Sequence, residues 1–88
     1  MELRHLDALA AVADSGSFTA AADQLHTVQS NVSQQVRQLE LELGVSLFDR
    51  GRKGAIVTEF GRVALEGARR VRRELEAISR EELLARVR

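Results

Sequence analysis

Cysteine, proline, tryptophan and tyrosine are all missing from this 88-residue chain. Without cysteine there is neither a disulfide framework nor a thiolate zinc site. No apolar run approaches the ~20 residues of a membrane span, and the start lacks the basic-then-apolar order of a secretory signal. Internal repeats and low-complexity segments are also lacking. Net charge is absent as well, since 13 Lys+Arg balance 13 Asp+Glu, and taken alone that argues against nucleic-acid binding. These absences leave one small, mainly helical domain, expected to be cytoplasmic. At this length burial alone stabilises a fold only marginally, so a partner or an extra element is expected.

The zero net charge hides an uneven distribution. In residues 1–36, Arg4 stands against Glu2, Asp7, Asp14 and Asp23. In residues 37–73, Arg37, Arg50, Arg52, Lys53, Arg62, Arg69, Arg70, Arg72 and Arg73 outnumber Glu40, Glu42, Asp49, Glu59 and Glu66. The middle of the chain is therefore a positive zone. Its cations are mostly arginine, whose planar fork suits bidentate contacts to phosphate and guanine. Genome composition also enriches arginine, so this is weak support by itself.

Leu3, Leu6, Leu9 or Ala10, and Val12 or Ala13 repeat at helical spacing up to Gly16, which suits a left-handed helix cap. Ser17 then suits the N-cap of a short helix in which Phe18, Ala21, Ala22 and Leu25 share one buried side. The link through His26 and Thr27 is very short, with Thr27 expected to cap the next helix. Two helices so joined cross steeply, as in a helix-turn-helix. On the second, Val28, Val32, Val36, Leu39 and Leu43 form one stripe. The opposite arc carries Gln29, Ser30, Ser33, Gln34 and Arg37. Solvated helix faces are usually Glu and Lys; amides and hydroxyls beside an arginine suit base edges in a major groove. An ordinary Gln-rich exterior is the bland alternative.

Beyond Gly44, Leu47-Phe48 and Ala55-Ile56-Val57 flank Asp49-Arg50-Gly51-Arg52-Lys53-Gly54, the pattern of a small β-hairpin. Arg52 and Lys53 fall at its tip and Arg50 at its base. Such a basic wing beside a recognition helix is placed for the DNA backbone or the minor groove; alone it would be a solvated loop. Thr58 suits the cap of a last helix of about 28 residues, roughly 42 Å long. Phe60 and Leu65 are expected to pack back on the core. Ala64, Ala68, Val71, Leu75 and Ile78 follow the rhythm of a helix-pairing seam, and a helix so long needs a partner. Glu66–Arg70, Glu76–Arg80 and Glu82–Arg86 stand four apart, acid first.

Enzymatic chemistry finds no footing. His5 and His26 lack a nucleophile or a paired ligand, and His26 suits a turn or a phosphate contact. Glu40 and Glu42 point in different directions on one helix and read as salt-bridge or solvated groups. The glycines are scattered and form no phosphate-cradling loop.

Taken in order, Leu6, Ser15-Gly16-Ser17-Phe18, Ala20-Ala21-Ala22, Leu25, Gln29, Val32-Ser33, Leu39-Glu40, Leu43-Gly44, Leu47-Phe48-Asp49-Arg50, Thr58 and Gly61 resemble the N-terminal DNA-binding domain of LysR-type transcriptional regulators. The resemblance covers nearly the whole chain. It implies a mainly α fold: a winged helix-turn-helix over residues 1–57, then a long dimerising linker helix over 58–88. It further implies base contacts at Gln29, Ser30, Ser33 and Gln34. Backbone or minor-groove contacts would fall to Ser17, Thr19, Thr27, Arg37, Arg50, Arg52 and Lys53. Departures stand at Ser30, where the family commonly has proline, at Asn31, commonly alanine, and at Gln34, often arginine. Leu41 also sits where a charge is usual.

The implied partners are double-stranded DNA and a second copy of the chain joined through Ala64, Ala68, Val71, Leu75 and Ile78. Higher oligomers and RNA polymerase would belong to a full-length form, and no membrane is involved. No cofactor is expected in these residues; a small-molecule effector is implied only for a C-terminal domain of two α/β lobes. An excised fragment is therefore favoured over a naturally short relative. The competing function is a winged-helix interaction module without sequence-specific DNA binding.

Overall fold

Glycines and hydroxyl side chains set several of the helix ends. The computed structural model describes residues 1–52 and 54–87. Gly16 ends α1 (Leu3–Ser15) in the left-handed region, φ 79°, with its N–H donating to the Val12 carbonyl at 2.8 Å. The Ser17 hydroxyl accepts from Ala20 N at 2.9 Å and opens α2 (Phe18–Gln24). Thr58 repeats the device for α4 (Glu59–Ala77), accepting from Gly61 N at 3.0 Å. Each such cap contributes about 1 kcal/mol.

The start of α3 (Gln29–Leu43) departs from expectation. Its N-cap is Val28, without any side-chain cap bond, and not Thr27. The turn before it explains why. His26 takes φ 56°, and Thr27 N–H donates back to the Ala22 carbonyl at 2.9 Å, which leaves Thr27 one residue early. Its hydroxyl accepts instead from Asn31 Nδ2 at 3.0 Å. Two N–H groups of the first turn, at Gln29 and Ser30, are thus left without a side-chain cap.

The core lies where α1, α2 and α3 cross. On α1, Leu9 and Val12 are fully buried where Ala10 and Ala13 are not, and with Ala8 they join Ala21, Ala22, Val32, Val36 and Leu39 in the core. The alanines of α2 keep the helices close. The apolar stripe of α3 is buried only in its middle: Val28 is 64% and Leu43 42% exposed, because the crossing helices do not reach its ends. His5 is also buried; its Nδ1 accepts from Glu2 N at 3.1 Å.

The hairpin forms as expected. β1 (Phe48–Gly51) and β2 (Gly54–Val57) pair antiparallel, Phe48 opposite Val57 and Gly51 opposite Gly54. Ala55 N–H donates to the Gly16 carbonyl at 3.0 Å, docking the wing on the end of α1. Gly54 permits this approach, since a Cβ there would run into the Gly16 oxygen. Gly61 plays the same part in α4, where a Cβ would collide with the Leu47 carbonyl and Val57 Cγ1. Contact through Gly61 turns its neighbour Phe60 outward, so Phe60 is exposed and the expected packing is made by Leu65 alone.

A single helix of about 28 residues does not form. α4 stops at Ala77 and α5 (Arg80–Arg86) follows a break at Ile78-Ser79. Ser79 takes an extended conformation and its hydroxyl accepts from Glu82 N at 3.2 Å, recapping the chain. Ser79-Arg80-Glu81-Glu82 has the Ser-x-x-Glu spacing of a capping box, a start signal inside the expected helix. Of the expected helix pairs only Glu82–Arg86 is made among the described residues, at 3.5 Å.

Candidate nucleic-acid interface

Burial of Val32, Val36 and Leu39 forces the other arc of α3 outward. Gln29, Ser30, Gln34 and Arg37 are exposed and Ser33 is half-buried. Gln29 Nε2 donates to Ser33 Oγ at 3.4 Å, so two of the four expected base-reading side chains already lean on one another. The remaining amide proton and the carbonyl oxygen of Gln29 are free for a base edge. Arg37 lies two turns further along, at the outer end of the same arc.

The expected backbone contacts surround this face. Ser17 and Thr19 sit at the start of α2 and Thr27 just before α3, each near a helix N-terminus, where partial positive charge favours a phosphate. Arg52 is exposed at the tip of the wing. Lys53, its expected companion, lies outside the described residues. Arg50 is placed differently from Arg52. Its guanidinium lies 4.5 Å from the Phe18 ring centroid, and its Nη2 is 3.4 Å from Glu40 Oε1.

The positive zone is smaller in space than along the chain. Arg69 pairs with Asp14 at 2.9 Å and Arg72 with Asp7 at 2.8 Å, tying α4 to α1. These arginines are neutralised on the side of α1, while Arg37 is exposed on α3 and Arg52 at the wing tip. Glu40, one of the carboxylates read as salt-bridge or solvated groups, is a salt-bridge group: besides Arg50, its Oε2 accepts from Leu47 N at 2.8 Å. Its partners lie seven and ten residues away, so the motif that contains Glu40 does not by itself name them.

The seam residues divide. Ala68 is buried in the domain's own core and Ala64 packs against it, which removes Ala68 from an outward seam. Val71, Leu75 and Ile78 are exposed. With Leu6, Leu39 and Leu43 they line an open apolar groove between α1, the end of α3 and α4.

This arrangement has solved counterparts. The family profile for bacterial regulatory helix-turn-helix proteins of the lysR family matches residues 3–62. The chain belongs to the LysR family. A crystal structure of the CbnR DBD–DNA complex superposes over 100% of both chains, with TM-score 0.85 and 40% identity. The BenM DBD in complex with catB site 1 DNA does so with TM-score 0.88 and 35% identity. Among curated relatives, the RuBisCO operon transcriptional regulator of Allochromatium vinosum is 45% identical over 75 residues, 85% of this chain and 25% of that protein. The LysR-type chain thus spans about a quarter of the length of the curated relatives it matches. It is a winged helix-turn-helix DNA-binding domain of a transcriptional regulator, and the family is not one of enzymes.

Proposed function

We propose that this LysR-type domain binds double-stranded DNA sequence-specifically as a dimer. The face of α3 carrying Gln29, Ser30, Ser33 and Gln34 enters the major groove. Ser17, Thr19, Thr27 and Arg37 hold the flanking phosphates, and Arg52 with Lys53 reaches the backbone or minor groove. The observation that carries this reading is the outward arc of α3, where Gln29, Ser30, Gln34 and Arg37 are exposed and no acidic residue stands among them. The family's solved DNA complexes support it. Direct readout needs such a surface: amides and hydroxyls for base edges, cations at the rim.

The second copy joins through α4. Ala64, Val71, Leu75 and Ile78 form the seam, and an antiparallel partner helix covers the groove beside them. Two-fold symmetry then calls for an interrupted palindrome with half-sites about one helical turn, or a multiple of it, apart. In a longer, cytoplasmic protein the same domain would serve higher oligomers, RNA polymerase contacts and a small-molecule effector held elsewhere. A protein-interaction module remains the competing reading, favoured by the neutral net charge.

Selection of bound duplexes from a random pool tests the proposal, followed by Gln29→Ala on the selected site. Loss of about 1–3 kcal/mol on that site, with relaxed preference at one or two base pairs, is expected. Equal loss on every sequence would make Gln29 a phosphate or structural residue. Binding that is insensitive to salt would favour the interaction module.

A further inference from the structure

We infer that Glu40 and Arg50 form a positioning pair that sets the angle of the wing to the recognition helix, with Arg50 acting through the wing and not chiefly as a phosphate ligand. The inference rests on the DNA-binding reading above only for its consequence at the DNA; the pair itself belongs to the free protein. Glu40 sits in the last turns of α3, and its side chain is only 18% exposed. Its two carboxylate oxygens are divided between two wing groups. Oε2 accepts from Leu47 N at 2.8 Å, at the entry to the wing, and Oε1 accepts from Arg50 Nη2 at 3.4 Å. Hydrogen bonds to an ionised acceptor are roughly twice as strong as neutral ones.

Arg50 is held from a second side. Its guanidinium lies 4.5 Å over the Phe18 ring of α2, the geometry of a cation–π contact. Phe18 in turn meets Phe48 of β1 edge-on, centroids 5.9 Å apart at 72°. Strand β1 is thereby fastened to both helices of the helix-turn-helix, while β2 is fastened to α1 by Ala55 N–H on the Gly16 carbonyl. The ring on one face and the carboxylate at Nη2 fix where the guanidinium sits, and Glu40 offsets its charge, which makes Arg50 a weaker phosphate ligand than Arg52 although several of its N–H groups stay uncommitted. Arg52, two residues on, is the wing cation without such partners among the described residues. Partly exposed ion pairs add little to stability, so the consequence of this one is orientation more than folding energy.

Glu40→Gln in the 88-residue chain tests the pair, because a glutamine oxygen can keep the Leu47 N–H bond while the charge is lost. Amide exchange at Ala55 should quicken about tenfold, while exchange at Leu9 and Val12 stays as in the wild type. Affinity for the selected duplex should fall about threefold to tenfold, with the slope of log affinity against log salt unchanged. Arg50→Met should do the same, the double variant should be no worse than either single one, and Arg50→Lys should recover part of the loss. A phosphate-binding Arg50 predicts the reverse pattern: Arg50→Met would lower the salt slope by about one unit, and Glu40→Gln would raise affinity by freeing the cation. Either of those results, or unchanged exchange at Ala55 in Glu40→Gln, overturns the inference. If the wild type selects no duplex, the DNA-binding reading fails while Ala55 exchange still decides the pair.

Discussion

The helix-turn-helix core and the C-terminal helices are written in the same apolar alphabet and end in opposite states. Leu9, Val12, Val32, Val36 and Leu39 are at most 1% exposed. Val71, Leu75, Ile78, Leu83, Leu84 and Val87 range from 38% to 73%. Helical spacing is respected in both regions up to Ile78. What differs is the presence of a neighbour: α1, α2 and α3 pack on one another, whereas α4 contributes no core residue after Ala68. Patterning therefore specifies a face, and burial depends on what the chain brings against it.

Leu39→Ala should produce the largest effect, because Leu39 is fully buried on α3. A loss of about 2–5 kcal/mol is expected, enough to unfold most of a domain this size. Thermal unfolding followed by circular dichroism would show whether α4 melts with the core. If α4 kept its helicity after the core had melted, the comparison would break, since its first half would then owe nothing to α1.

Leu75→Glu acts on the other region. A charge in the proposed seam is costly unless paired or hydrated, and each dimer carries it twice. The variant should be a folded monomer that still binds a half-site, with affinity for the whole site down on the order of a hundredfold. Sedimentation combined with binding to both duplexes checks this. A wild-type chain already monomeric at micromolar concentration would remove the seam.

Smaller changes sharpen the contrast. Arg52→Gln at the wing tip should weaken binding to many sequences alike and reduce the salt slope by about one unit. An unchanged slope would take Arg52 out of the interface. Leu84→Ser in α5 should alter stability by less than about 0.5 kcal/mol, as exposed positions generally do. A clear drop in melting temperature would mean that α5 is packed in solution.

Much of the fold was legible because its signals are local. The Gly16 stop, the Ser17 and Thr58 caps and the glycine-bearing hairpin each depend on a few adjacent residues. So does the Ser79 cap, whose Ser-x-x-Glu spacing was overshadowed by the seam rhythm running through it. Thr27 misled because a turn at His26 shifted the helix start by one residue. For the candidate interface, the arc of α3 followed from periodicity, since burying one stripe exposes the other.

Side chains of Glu40 and Arg50 were beyond such reasoning. Their partners are a backbone N–H seven residues on, a carboxylate ten residues back and a ring on another helix. Likewise Asp7 and Asp14 meet Arg72 and Arg69 across 65 and 55 residues, which drains positive charge from the zone that the sequence displays. The order of α1, α2 and α3, the Gly16 stop, the presence of the hairpin and the outward arc are matters of spacing, and spacing is a property of the chain alone. Which half of α4 is covered, which arginine stays free and how the wing is angled were decided only when distant segments came together. Burial and charge pairing act between neighbours in space, and the chain order does not name those neighbours.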